Sequence, residues 1–117
     1  MNGYRNTLSG QAAEDSVARR YQARGKPIAA RRWRGSRGEI DLVAQDGDGF
    51  VFIEVKKARD FARAATRLTR AQMRRIYGAA SEYLAGAPKG QLTPVRFDVA
   101  LVNSAGQIEV IENAFGM

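Results

Sequence analysis

The chain has 117 residues, 44% hydrophobic and 26% charged, a formal net charge of +7, and neither cysteine nor histidine. That length allows one domain (1–117) with a modest core, and the composition excludes disulfides, thiol nucleophiles, Cys or His zinc sites, and histidine bases. The 19 Lys and Arg against 12 acids point to a polyanionic partner, nucleic acid rather than a membrane, because no apolar run approaches the ~20 residues of a spanning helix.

Met1 to Leu8 lacks the apolar core of a signal peptide, so a cytoplasmic location is expected. From Ser9 to Arg24 the spacing predicts a helix that stops at Gly25 and Pro27. Its apolar stripe includes Ala13, Val17, Ala18 and Tyr21, and Glu14 falls on that same face. The carboxylate either snorkels from the stripe's margin, favours the helix N-terminal dipole, or serves a site.

Ile28 to Arg34 reads as a strand carrying Arg31, Arg32 and Arg34 around Trp33, followed by the turn Gly35-Ser36-Arg37-Gly38. Arginines beside an indole either defend a sheet edge or grip phosphate and stack a base. Glu39 to Gln45 and Phe50 to Lys57 then alternate as the two arms of a hairpin around Asp46-Gly47-Asp48-Gly49. Alternation puts Ile40, Leu42 and Ala44 on one face, Asp41 and Val43 on the other, and Phe50, Phe52, Glu54 and Lys56 together on one face of the second arm. An even loop sets Asp41 opposite Glu54 and Glu39 opposite Lys56. Opposed like charges cost roughly 0.2–1 kcal/mol in a sheet, so the acid pair calls for a cation: Lys56, a metal, or both. Two carboxylates with the Val55 carbonyl between Glu54 and Lys56 suit Mg²⁺ or Mn²⁺. Such a group fits phosphodiester hydrolysis; the alternative is an exposed edge with solvated charges.

Arg59, Arg63, Arg67, Arg70 and Arg74 follow Lys57, with Ala58 to Leu68 read as a mobile basic arm. Thr69-Arg70-Ala71-Gln72 has the form of a capping box. It opens a second helix with Met73, Ile76, Tyr77, Ala80 and Leu84 as its stripe and an end at Gly86 and Pro88. Its N-terminal arginines either contact a phosphate backbone or form a solvated face. Val95 to Asn103 alternates, with Val95, Phe97, Val99 and Leu101 opposite Arg96, Asp98 and Ala100, and Ser104-Ala105-Gly106 turns into a last strand, Gln107 to Glu112. Asp98 either pairs structurally or supports the site. No phosphate-binding Gly-x-x-x-x-Gly-Lys loop is present, so no nucleotide triphosphate is expected. The order αβββαββ predicts an α/β fold, a central mixed sheet flanked by helices.

The blocks Gly10-x-x-Ala13-Glu14, Gly38-Glu39-Ile40-Asp41-Leu42-Val43-Ala44, Phe50 to Lys56, and Arg96-Phe97-Asp98-Val99 together resemble the YraN family of predicted bacterial endonucleases. That family looks like a minimal restriction-endonuclease-like fold, similar to archaeal Holliday-junction resolvases and other PD-(D/E)xK nucleases. The resemblance implies that Asp41 and Glu54 bind Mg²⁺, that Lys56 lies beside the attacking water, that Glu14 is the further acid, and that Gln72 lies near the site. Two positions depart from the family's pattern: Arg32 stands where Asn is frequent, and Ala58 where Arg is.

The expectation is therefore a Mg²⁺- or Mn²⁺-dependent DNA endonuclease acting on branched or otherwise irregular DNA. Glu14, Asp41, Glu54 and Lys56 are its catalytic residues, and Asp41, Glu54 and the Val55 carbonyl its metal ligands. Arg31, Arg32, Arg34, Arg37, Lys57, Arg59, Arg63, Arg67, Arg70, Gln72 and Arg74 contact nucleic acid. A second copy would let so small a domain enclose two strands. The rival readings are a nuclease-like fold that binds without cleaving and a protein-interaction domain that is incidentally basic.

Overall fold

The structure, a computed structural model, describes residues 2–114, with side chains from residue 10 onward. Helix α1 (Asn2–Ala23) is followed by strands β1 (Ile28–Arg34), β2 (Glu39–Asp46) and β3 (Gly49–Lys57). Helices α2 (Phe61–Ala65) and α3 (Arg70–Leu84), a 3₁₀ turn (Gly90–Leu92), and strands β4 (Val95–Val102) and β5 (Ile108–Ile111) complete the chain. The strands form one sheet in the order β1-β2-β3-β4-β5. Only β3 and β4 run parallel; the other neighbours are antiparallel, which makes the sheet mixed. A parallel pair needs a crossover, and the segment containing α2 and α3 supplies it.

Both faces of the sheet are covered, and the strand alternation sorts the core accordingly. Val43, Phe52, Phe97, Val99 and Leu101 pack with Ile76, Ala79, Ala80 and Leu84 of α3 and with Ala64 of α2. Leu42, Ala44, Val51, Ile53, Ala100 and Val102 pack with Ala13, Val17, Ala18 and Tyr21 of α1.

The hairpin between β2 and β3 closes with a two-residue loop, Asp46 pairing with Gly49, and Gly47 adopts φ 61. A primed turn demands that sign.

Two expectations change. Ala58 to Leu68 is not a mobile arm, and its helix adds an element to αβββαββ: Asp60 caps α2 by accepting from the Arg63 N–H at 2.8 Å, Ala64 is fully buried, and Phe61 and Leu68 pack on the core. The signal was local, an Asp at the N-cap, outweighed by the run of arginines. Ile40 joins the α3-side cluster with Val43, whereas Leu42 joins the α1 side, so alternation breaks at Asp41. Of the two readings of Trp33, its contact favours the sheet-edge one: the indole meets Tyr83 in a T-shaped arrangement, ring centroids 5.3 Å apart.

The break has a backbone origin. Trp33 pairs with Ile40 and Arg31 with Leu42, so Arg32 is level with Asp41, and Arg32 adopts φ 49. A left-handed residue in a strand rotates its successors to the other face. For a non-glycine residue such a conformation is strained, and strain of this kind gathers at functional positions.

Candidate active site

The site is built where β2 leaves β3. Their pairing runs from Asp46↔Gly49 to Leu42↔Ile53. Two residues further along β3, the Val55 N–H donates to Asp41 Oδ2 at 2.8 Å, so a carboxylate stands where the next ladder bond would fall. Carried one step beyond Leu42↔Ile53, the same register brings Asp41 level with Glu54.

Glu54 is 6% exposed and within hydrogen-bonding reach of Asp41. Its carboxyl is pushed up to about 9, chiefly by burial, then by the hydrogen bond and charge of Asp41, and further by Glu14, while Lys56 pulls it down. Lys56 Nζ lies 4.0 Å from Glu54 Oε1, its own side chain 16% exposed. Register had set Lys56 opposite Glu39, but the ladder ends first, and Glu39 pairs with Arg34 at 3.1 Å instead.

Glu14 reaches this neighbourhood from α1 but is held by a cation. Arg32 Nε and Nη2 donate to its two oxygens at 3.2 and 3.3 Å. Among the described residues, no three of His, Cys, Asp and Glu form a metal-holding group. The donors with the right chemistry for a hard divalent ion are therefore two carboxylates, Asp41 and Glu54, with the main-chain carbonyl of Val55 on the same strand. A buried acid that keeps its proton beside another acid is a site that added positive charge would relieve, so the residues present fit such an ion.

The basic residues divide. Arg31 pairs with Asp15 at 2.7 Å, Arg34 with Glu39, and Arg32 with Glu14, so the arginines of edge strand β1 are bound by acids. Arg37 lies across α3 at Gly78, where a Cβ would come within 2.9 Å of its side chain, and its N–H donates to Glu82 Oε1 at 2.9 Å. Arg59, Arg67, Arg70 and Arg74 are exposed, and Arg63 meets Asp60 at 3.5 Å. Gln72 is half-buried, and its main-chain N–H closes the helix cap by donating to Thr69 Oγ1 at 3.1 Å. Lys57 turns to the α1 side, lining a cleft of about 130 Å³ with Ser16 and Ser104.

Two functional features were missed in the sequence. The left-handed Arg32 and its hold on Glu14 had one signal: the resemblance places Asn at position 32, and Asn tolerates that conformation far better than Arg. Tyr21, taken only as an apolar residue, donates its hydroxyl to the fully buried Asp98 at 2.6 Å.

The fold and these contacts define an α/β protein whose mixed sheet, covered by helices, carries a buried carboxyl, Glu54, beside the half-buried Asp41 and a lysine. The model of Uncharacterised protein family UPF0102 matches residues 13–102, and the chain belongs to that family. It is 61% identical to a UPF0102 protein of Cereibacter sphaeroides over 115 residues, 98% of both chains. It is 60% identical to one of Ruegeria pomeroyi over 114 residues, 97% of this chain and 93% of the relative. To one of Dinoroseobacter shibae it is 44% identical over 111 residues, 95% and 83%. Among the described residues no helix is long and apolar enough to cross a membrane.

Proposed function

We propose that this chain is a metal-dependent DNA endonuclease of the PD-(D/E)xK type, similar to the YraN family, hydrolysing phosphodiester bonds in branched or irregular DNA. The observation that carries the reading is the contact of Asp41 with Glu54 at the opening of β2 from β3, with Lys56 Nζ 4.0 Å from Glu54. Mg²⁺ or Mn²⁺, held by Asp41, Glu54 and the Val55 carbonyl, would supply Lewis acidity toward a phosphoryl oxygen and a more acidic water. Lys56 orients a water and offsets developing negative charge. Glu14 adds negative charge once Arg32 lets it go, and the exposed arginines of α2 and α3 hold the backbone.

A gel assay tests this with junction, flap, single-strand and duplex DNA in Mn²⁺, Mg²⁺ or EDTA. Cleavage that needs the metal and is lost in Asp41→Asn and Lys56→Ala, with DNA retention kept, is the expected result. Unchanged nicking by either variant rejects the assignment. Arg32's grip on Glu14 favours a second reading, binding without cleavage, which predicts salt-sensitive retention and intact DNA under every metal condition.

A further inference from the structure

A second polar site lies at the other end of the strands. A cleft of about 60 Å³ opens between the last turn of α1 and strands β4 and β5. Its residue Arg96 is level with Val51, three residues or roughly 10 Å along β3 before Glu54. Arg20, Arg24, Lys26 and Arg96 line it against one acid, Glu112.

Arg96 is fixed in orientation. Its Nε and Nη2 donate to Asp98 at 2.8 and 2.9 Å, and the same carboxylate accepts from the Tyr21 hydroxyl at 2.6 Å and the Asn113 N–H at 2.9 Å. The remaining Nη1 faces Glu112 at 3.6 Å, beyond hydrogen-bond length, and the Glu112 side chain is 62% exposed. Arg20 donates Nη1 to the Ile108 carbonyl at 3.4 Å, yet its buried Nε finds no partner among the described residues. Buried donors without an acceptor are rare in folded proteins. Among the described residues, Asp98 and Glu112 counted against the four cations leave two positive charges over.

We propose that this cleft binds a phosphate-type oxyanion. Arg20 Nε–H and Arg96 Nη1–H supply directed bonds, Arg24 and Lys26 supply charge, and Glu112 is the group the anion displaces. Guanidinium donors in fixed orientation suit such an anion. The inference stands apart from the cleavage reading, because its residues lie at the opposite end of β3 and β4.

The test tracks the arginine Nε–H signals of ¹⁵N-labelled protein during titration with inorganic phosphate, then with a short DNA duplex, at ionic strength matched by NaCl. Phosphate should move the Arg20 Nε–H signal. Its affinity should fall about tenfold in the double variant Arg24→Ala, Lys26→Ala and rise severalfold in Glu112→Gln. These three side chains lie outside the buried core, and unchanged signal dispersion verifies folding. If the duplex moves the same signal, the anion is a nucleic-acid phosphate; if free phosphate alone does, the site serves a small anion. An Arg20 signal that neither titrant moves, or equal affinity in all three proteins, overturns the proposal.

Discussion

Arg32 grips Glu14 with two donors, Nε on Oε1 at 3.2 Å and Nη2 on Oε2 at 3.3 Å, from a backbone position with φ 49. The conformation is strained for arginine and easier for asparagine. Arg32→Asn should therefore melt no lower than wild type, while Arg32→Val, which removes the same ion pair and adds a β-branch, melts lower. With Glu14 released, Arg32→Asn should also bind Mn²⁺ more tightly. Calorimetric melting and Mn²⁺ titration check both; an Asn variant less stable than the Val variant would contradict the strain.

The carboxylate pair predicts a metal-dependent gain in stability. At a hundredfold excess over its dissociation constant, a bound ion adds about 2.7 kcal/mol, seen as a rise of several degrees in melting temperature. Wild type should show it with Mn²⁺ and Asp41→Asn should not. Equal shifts in both proteins would place any bound ion elsewhere.

Glu54 makes stability depend on pH in a defined direction. Its proton affinity is raised by folding, from about 4.5 to about 9, so the folded state holds a proton that the unfolded state releases. That contribution is fully present below about 4.5 and is lost as pH rises through about 9. Glu54→Gln should therefore gain stability over wild type progressively across this interval, with no gain below it. Urea denaturation at stepped pH measures the gap; a constant gap would refute the shift.

Asp98 should be the most sensitive polar position in the fold. Fully buried, it accepts from Arg96, Tyr21 and the Asn113 N–H, so Asp98→Ala strips three donors of their acceptor, one of them charged, and should cost about 3–5 kcal/mol. Tyr21→Phe removes one bond to a charged acceptor, about 1.5–3 kcal/mol. Denaturant midpoints for the two variants provide the comparison.

Much of this arrangement was legible from residue types. The hairpin with its even loop, the register that brings Asp41 level with Glu54, the charged edge strand β1, and the two faces of β4 come from period-two alternation and turn chemistry. Local patterns failed where tertiary contacts decide. Ile40 changed faces at the level where the neighbouring strand carries the left-handed Arg32. Glu14 was placed on the inward face of α1, but its partner lies 18 positions away, beyond any periodicity. The short helix α2 was obscured by arginines whose charge says nothing against helix, and Tyr21 was read by its ring alone.

The parallel pairing of β3 with β4 bears on the order of folding. Asp41 and Glu54 sit on two arms of one tight hairpin and can meet within microseconds. Val99, the β4 residue level with Glu54, arrives only after a much longer loop, containing α2 and α3, has closed. The acids can thus meet early, in water, and Glu54, whose proton affinity burial raises, should take up its proton later, as the elements that bury it dock. Refolding followed by proton uptake near neutral pH should trail hairpin formation.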